Sequence, residues 1–158
     1  MVHQGMQQRS DEDFIREAIA EAKAAAKEGN APIGAVITIG NRIVARGHNK
    51  VFTRYDITAH AEVVAIQKLA KKIGTFELKR YKLFSTFVPC AMCLATILRA
   101  NIPTVIYGAE AFDAPQFSSG IHQRVNRAVR RIAEDRIRFK GGVLRFECAR
   151  LLANAKPD

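Results

Sequence analysis

Apolar residues recur at helical spacing through Phe14, Ile15, Ala18, Ile19, Ala22 and Ala26, which predicts an amphipathic helix. Ser10 offers it an N-cap, and Asp11, Glu12 and Asp13 crowd the first turn, where the helix dipole favours anions. Gly29-Asn30 ends the pattern. The period then changes. IGAVITI is dense in β-branched residues, Gly40-Asn41 supplies a tight turn and RIVARG follows, so a β-hairpin is expected. HAEVVAIQKLAKKI turns helical again, with Val63, Ala65 or Ile66, Leu69 and Ile73 on one side and Lys68, Lys71 and Lys72 largely on the other. YKLFSTF reads as a strand, and PCAMCLATILRA as a helix with Pro89 at its entry, where a missing N–H costs little. TVIYGA is a further strand, residues 121–135 a helix, EDRIRFK a last strand, and GVLRFECARLLA a last helix after Gly141-Gly142. A strand pair followed by alternating helices and strands predicts an α/β layered fold, mostly parallel in its second half. Residues 1–9, polar and without period, read as a flexible leader, which leaves 10–158 as one domain.

The chain's 158 residues suit a single domain, and 48% hydrophobic against 25% charged residues excludes a disordered or collagenous chain. No stretch approaches the roughly 18 to 20 apolar residues of a membrane span, and MVHQGMQQRS lacks the apolar block of a signal peptide. A cytoplasmic protein with no membrane partner is the expectation. The net charge of +10 is concentrated: residues 121–150 hold nine basic side chains (Arg124, Arg127, Arg130, Arg131, Arg136, Arg138, Lys140, Arg145 and Arg150) against Glu134, Asp135 and Glu147. Such a region suits a phosphate backbone and makes RNA a candidate partner. The spacing of Arg124, Arg127 and Arg131 equally suits a solvated helix face or a dimer rim.

Three polar features fall beside predicted element ends: Asn49 after the second strand, His60-Ala61-Glu62 at one helix start, and Pro89-Cys90 with Cys93 at another. Three cysteines are too few and too uneven for a disulfide framework, so Cys90 and Cys93 read as metal ligands or redox thiols. They stand one helical turn apart, so both sulfurs can point the same way. Two thiolates and an imidazole make three of the four ligands Zn²⁺ prefers and leave the open position of a catalytic site. A closed structural zinc would draw its fourth ligand from His48, His122 or Cys148 and leave Glu62 without a role. A thioredoxin-like redox pair has no need of His60. Cys148, between Phe146 and Leu151, reads as core.

His60-Ala61-Glu62 with Pro89-Cys90-Ala91-Met92-Cys93 forms the H-x-E…P-C-x-x-C signature of zinc deaminases. The chain resembles the cytidine/deoxycytidylate deaminase superfamily. APIGAVI, GHN, TAHAEVVAI, PCAMC and TVIYGA are similar to the branch that holds bacterial tRNA adenosine deaminases, guanine deaminases and fungal-type cytosine deaminases, over residues 14–110 well and the last fifty loosely. The resemblance implies a three-layer α/β/α fold with a five-stranded mixed sheet, one zinc per chain, and a homodimer. It implies His60, Cys90 and Cys93 as zinc ligands and Glu62 as the proton shuttle. Asn49 would bind the base through its side-chain amide, with the Ala61 N–H and the Pro89 C=O as further contacts. The implied activity is hydrolytic release of ammonia from an amino-substituted nucleobase, a free base such as guanine or cytosine or a small relative. Its rivals are a tRNA adenosine deaminase acting on an anticodon-loop adenosine and a non-catalytic nucleic-acid-binding relative, against which the intact Glu62 argues. Two departures stand out: Val88 occupies a position where many relatives have Glu, and EAFDAPQFSSGIHQ lacks the Gly-Ser segment associated with the tRNA enzymes. There Asp113 and His122, with Phe112 and Phe117, are candidates for the wall that tells purine from pyrimidine.

Overall fold

The computed structural model describes residues 7–158, so the first six residues of the expected leader, His3 among them, lie outside the described residues. The leader's last residue is fastened. The Arg9 N–H donates to Asn41 Oδ1 at 2.7 Å, and its guanidinium bonds Glu17 at 2.7 Å. Ser10 then caps helix α1 (Asp11–Lys27) through a reciprocal box, its hydroxyl accepting from the Asp13 N–H while the Asp13 carboxylate accepts from the Ser10 N–H.

Strands β1 (Gly34–Ile39) and β2 (Arg42–His48) form the expected hairpin, turning at Gly40 with a φ of +53°. There follow α2 (Val51–Arg54), α3 (Ala61–Ile73), β3 (Lys82–Phe87), α4 (Ala91–Arg99) and β4 (Thr104–Ala109). Two 3-10 turns, Ala111–Asp113 and Pro115–Phe117, lead to α5 (Gly120–Ala133), β5 (Arg138–Lys140) and α6 (Arg145–Leu152). The five strands lie in the order β2-β1-β3-β4-β5. β1 runs antiparallel to β2 and β3, and the β3–β4 and β4–β5 pairs are parallel. Helices α1 and α6 pack on one face, α3 and α4 on the other, and α5 lies against α4. This is the three-layer α/β/α arrangement with a mixed sheet.

The central strands are buried on both faces, which is why YKLFSTF and TVIYGA carry so few charges. Phe84, Leu83, Ile15, Ile37, Leu94 and Ile97 are the heart of the core, and the Phe14 ring meets Phe84 at 4.9 Å. Two glycines let the helices approach the hairpin. A Cβ at Gly34 would stand 2.1 Å from the Ala18 carbonyl of α1, and one at Gly47 would stand 2.4 Å from the Ala61 carbonyl of α3. Expectation and structure differ in the small pieces. α2 and the two 3-10 turns are too short to carry a period, and EDRIRFK keeps only three strand residues because Glu134 still caps α5.

Candidate active site

The start of α3, the start of α4 and the end of β2 converge on a cavity of about 400 Å³. His60 is the N-cap residue of α3 and Cys90 that of α4, and neither side chain caps its own helix. Both are therefore free to turn towards each other. The His60 Nδ1 lies 3.6 Å from the Cys90 Sγ and 3.5 Å from the Cys93 Sγ, and the three ligand atoms fall within 4.8 Å of one another. A tetrahedral zinc with bonds of about 2.3 Å to sulfur and about 2.05 Å to nitrogen separates those atoms by about 3.6 Å. The donor set and its spacing fit the ion.

The electrostatics agree. A hydrogen bond from Cys93, aided by His60, holds the Cys90 thiol down at about 4 against its burial. That same bond to Cys90, together with burial, pushes Cys93 well above the usual thiol range. Burial presses the His60 imidazolium down, but the Cys90 thiolate outweighs it and holds the ring at about 9. A cation held by these three side chains would displace protons from His60 and Cys93.

Glu62, on the first turn of α3, is 3% exposed, and its burial raises the carboxyl above its ordinary range. Its Oε1 accepts from the Ser85 hydroxyl at 3.1 Å, and its Oε2 lies 3.5 Å from the Cys93 Sγ. The carboxylate therefore faces the ligand cluster. Asn49 is fully buried and orientation-locked: its Oδ1 accepts from the Val51 N–H at 3.0 Å, so only its Nδ2 is turned to the cavity. That nitrogen donates to the carboxylate of Asp158, which also stands 3.9 Å from the His60 Nε2. The preceding His48 is held between Glu21 at 2.8 Å and Glu28 at 3.1 Å, which fastens this strand end to α1.

Of the other expected residues, Pro89 and Val88 line the cavity, and Ala61 is buried at the start of α3. Phe112 and Phe117 reach the cavity, Phe117 standing edge-on to Phe87 at 5.9 Å. Asp113 and His122 do not line it. The Asp113 carboxylate is turned away by a bidentate bond to Arg145, at 2.8 and 2.9 Å, and also accepts from the Glu110 N–H at 2.8 Å. His122 is exposed on α5, about 100° around the helix from Gln123, which faces in. Gln123 and Asn126 line the cavity without having been expected to, and Arg127 and Arg130, expected only as part of the basic region, line it too. Gln123, Asn126, Arg127 and Arg130 form one i, i+3, i+4, i+7 face of α5, and the Asn126 Oδ1 accepts from the Ala91 N–H at 2.8 Å, next to Cys90. That periodic polar face was the available signal. Asp158 had none.

Residues 8–109 match the zinc-binding region of cytidine and deoxycytidylate deaminases. The tRNA-specific adenosine deaminase of Bacillus subtilis is 35% identical over 147 residues, covering 90% of this chain and 86% of its own. The guanine deaminase of the same organism is 41% identical over 106 residues, covering 66% and 68%. A solved structure from work on A-to-I editing by tRNA:A34 deaminases at the wobble position superposes with a TM-score of 0.72 at 30% identity, covering 89% of this chain and 99% of its own. With a match over most of its length, the chain belongs to the cytidine and deoxycytidylate deaminase family, and His60, Cys90 and Cys93 are the residues that could hold the family's zinc.

Proposed function

We propose that this protein is a hydrolytic deaminase that releases ammonia from an amino-substituted nucleobase, bound as a free base such as guanine or cytosine or as a small relative. The observation that carries this reading is Glu62, whose Oε2 is turned to the ligand cluster inside a cavity walled by Ile33, Phe87 and Phe117. When bound, zinc supplies the Lewis acidity that makes water a nucleophile near neutral pH. Glu62 takes one proton of the attacking water to the ring nitrogen and then carries a second, from the hydroxyl now on the carbon, to the departing amine. Asn49, locked as a donor, selects a ring edge that presents an acceptor. The Pro89 carbonyl and the Ala61 N–H complete the orientation of the amidine. The apolar walls flank the ring and exclude water.

The apolar walls of Ile33, Phe87 and Phe117 suit a flat uncharged ring, which supports the small substrate, while Glu110 and Asp158 share the cavity with Arg127 and Arg130, so its charge is mixed. The second reading, an anticodon-loop adenosine in tRNA, draws support from Arg127, exposed at the cavity rim and without an ion pair among the described residues, and from the tRNA-deaminase relatives. A homodimer belongs to the proposal: Ile121, Val125 and Ile132 leave an apolar stripe exposed along α5.

The test is ammonia release by zinc-loaded protein from guanine, cytosine, adenosine and an anticodon stem-loop RNA, with Glu62→Gln as blank. Release from a free base is expected. Release from the RNA alone would replace the first reading with the second, and RNA binding without release from any substrate would establish the non-catalytic relative.

A further inference from the structure

Ser85 sits near the end of β3, fully buried, between Ala35 of β1 and Tyr107 of β4 in the middle of the sheet. Its hydroxyl donates to Glu62 Oε1 at 3.1 Å and accepts from the Phe87 N–H at 3.4 Å. A hydroxyl carries one proton. With the Phe87 N–H directed at its lone pair, that proton has Glu62 as its acceptor. The chain of donors runs one way, from the Phe87 N–H to the Ser85 oxygen and from the Ser85 O–H to Glu62 Oε1.

A buried glutamate needs such a tie because its terminal torsion is broad and leaves the carboxylate plane loosely defined. Burial fixes the place of Glu62 and not its plane, and the other side-chain hydrogen bond to its carboxylate, from the Cys93 thiol to Oε2, is lost once that sulfur is the thiolate that binds zinc. Pinning Oε1 to the sheet fixes the direction of the other oxygen, and that oxygen is the one 3.5 Å from the Cys93 Sγ. We propose that Ser85 is a positioning residue for proton transfer: it holds Oε1 as an acceptor so that Glu62 takes up and releases its proton at Oε2, the oxygen facing the zinc-ligand cluster.

This rests on the reading of Glu62 as the shuttle. In the step it describes, a proton leaves the attacking water for Oε2 as the water oxygen bonds to the amino-bearing carbon. The proton moves from Oε2 to the ring nitrogen. A second proton, from the hydroxyl now on that carbon, passes through Oε2 to the amine, the C–N bond breaks with its electron pair on nitrogen as the C=O bond forms, and ammonia leaves. The Ser85 proton stays on its own oxygen throughout.

The experiment compares Ser85→Ala, Ser85→Cys and Ser85→Thr in zinc-loaded protein, on whichever of guanine, cytosine, adenosine or anticodon stem-loop RNA the parent turns over. Ser85→Ala is expected to lower kcat by about 10- to 100-fold, the scale of a misplaced reacting group, with KM nearly unchanged and one zinc per chain retained. Ser85→Cys, similar in size but a weak donor, should follow Ser85→Ala, and Ser85→Thr should restore most of kcat. A second readout needs neither metal nor turnover. In metal-free protein the fall in Tm caused by Ser85→Ala should shrink in a Glu62→Ala background, where the hydroxyl has already lost its acceptor. A parental kcat in Ser85→Ala, or an equal fall in Tm in both backgrounds, would overturn the proposal. Turnover retained by Glu62→Gln would instead remove Glu62 as the shuttle, so the two failures are separable.

Discussion

In the proposed reaction Glu62 holds a proton for part of the cycle, and its burial favours the protonated form above the range where an exposed carboxylate would ionise. Glu62→Gln should keep its zinc and lose about 10² to 10⁴ in kcat, read by metal analysis beside ammonia release. Equal turnover would exclude the role. Cys93→Ser should lose metal. The pH dependence of metal binding follows from the protons stored on the triad. Zinc needs a neutral His60 and two thiolates, yet His60 keeps its proton up to about 9 and Cys93 keeps its own well beyond the usual thiol range, while Cys90 is ionised above about 4. Binding therefore expels about two protons at pH 7, and affinity rises with pH. A chelator competition from pH 6 to 8 should show log Kd falling with a slope near two; a flat profile would refute the stored protons. That His60, Glu62, Cys90 and Cys93 come together was legible in the sequence, because their spacing at two helix starts is what brings them there. Asp113 stands off the cavity because Arg145, more than thirty residues away in sequence, turns its carboxylate aside, and His122 because the helical turn of α5 points it to solvent. Asp158 meets Asn49 across 109 residues, beyond any local pattern.

At the scale of elements, the period of apolar residues marked every long helix and the core strands, because the sheet buries both faces and the helices one. It marked the ends less well. α6 starts at Arg145 rather than at Gly142, since Leu144 adopts a left-handed conformation with a φ of 51°. Arg145 then holds the segment between β4 and α5: it binds Asp113 and lies over the rings of Phe112 at 4.4 Å and Phe146 at 5.4 Å. Hydrogen bonds from Arg145 keep the Asp113 carboxyl below its ordinary range. A depressed folded value stabilises the protein above the unfolded value of about 3.9, and that contribution disappears as pH falls through the folded value. Asp113→Asn should therefore lower Tm at pH 7 and converge on the parent in strong acid. A constant difference down to pH 2 would show that the pair does not act through charge.

Over the whole molecule, the positive charge divides into a used and an unused part. Arg130 pairs with Glu134 and stacks on Phe139 at 3.5 Å, Arg145 holds Asp113, and Lys140 holds Asp11 at 2.6 Å. Arg124, Arg127 and Arg131 are exposed and have no ion pair among the described residues. Turnover of a free base releases no counterions, so kcat/KM should stay nearly constant between 50 and 200 mM salt, whereas capture of RNA would weaken by orders of magnitude. A steep loss with a free base would mean the charge takes part. The sequence located this charge but could not divide it, because pairing is settled by partners on other elements. The proposed homodimer through the apolar stripe of α5 predicts that replacing Val125 and Ile132 with Glu shifts sedimentation from dimer to monomer; an unchanged dimer would place the interface elsewhere. None of the described helices is long and apolar enough to cross a membrane.

Gly47 gives the site a mechanical property. A methyl group there would press on the Ala61 carbonyl and the Ala65 nitrogen, at 2.4 and 2.6 Å, and α3 would have to retreat by about 1 Å to reach ordinary van der Waals separation. His60 and Glu62 ride on α3, whereas Cys90 and Cys93 ride on α4, so the retreat would pull one jaw of the centre from the other. The ligand set then works as a vernier on the hairpin. Small errors in how two secondary structures nest, too slight to unfold the chain, would surface first as metal leakage, and loss of zinc rather than loss of shape would set the tolerance to change at a residue that never touches the ion.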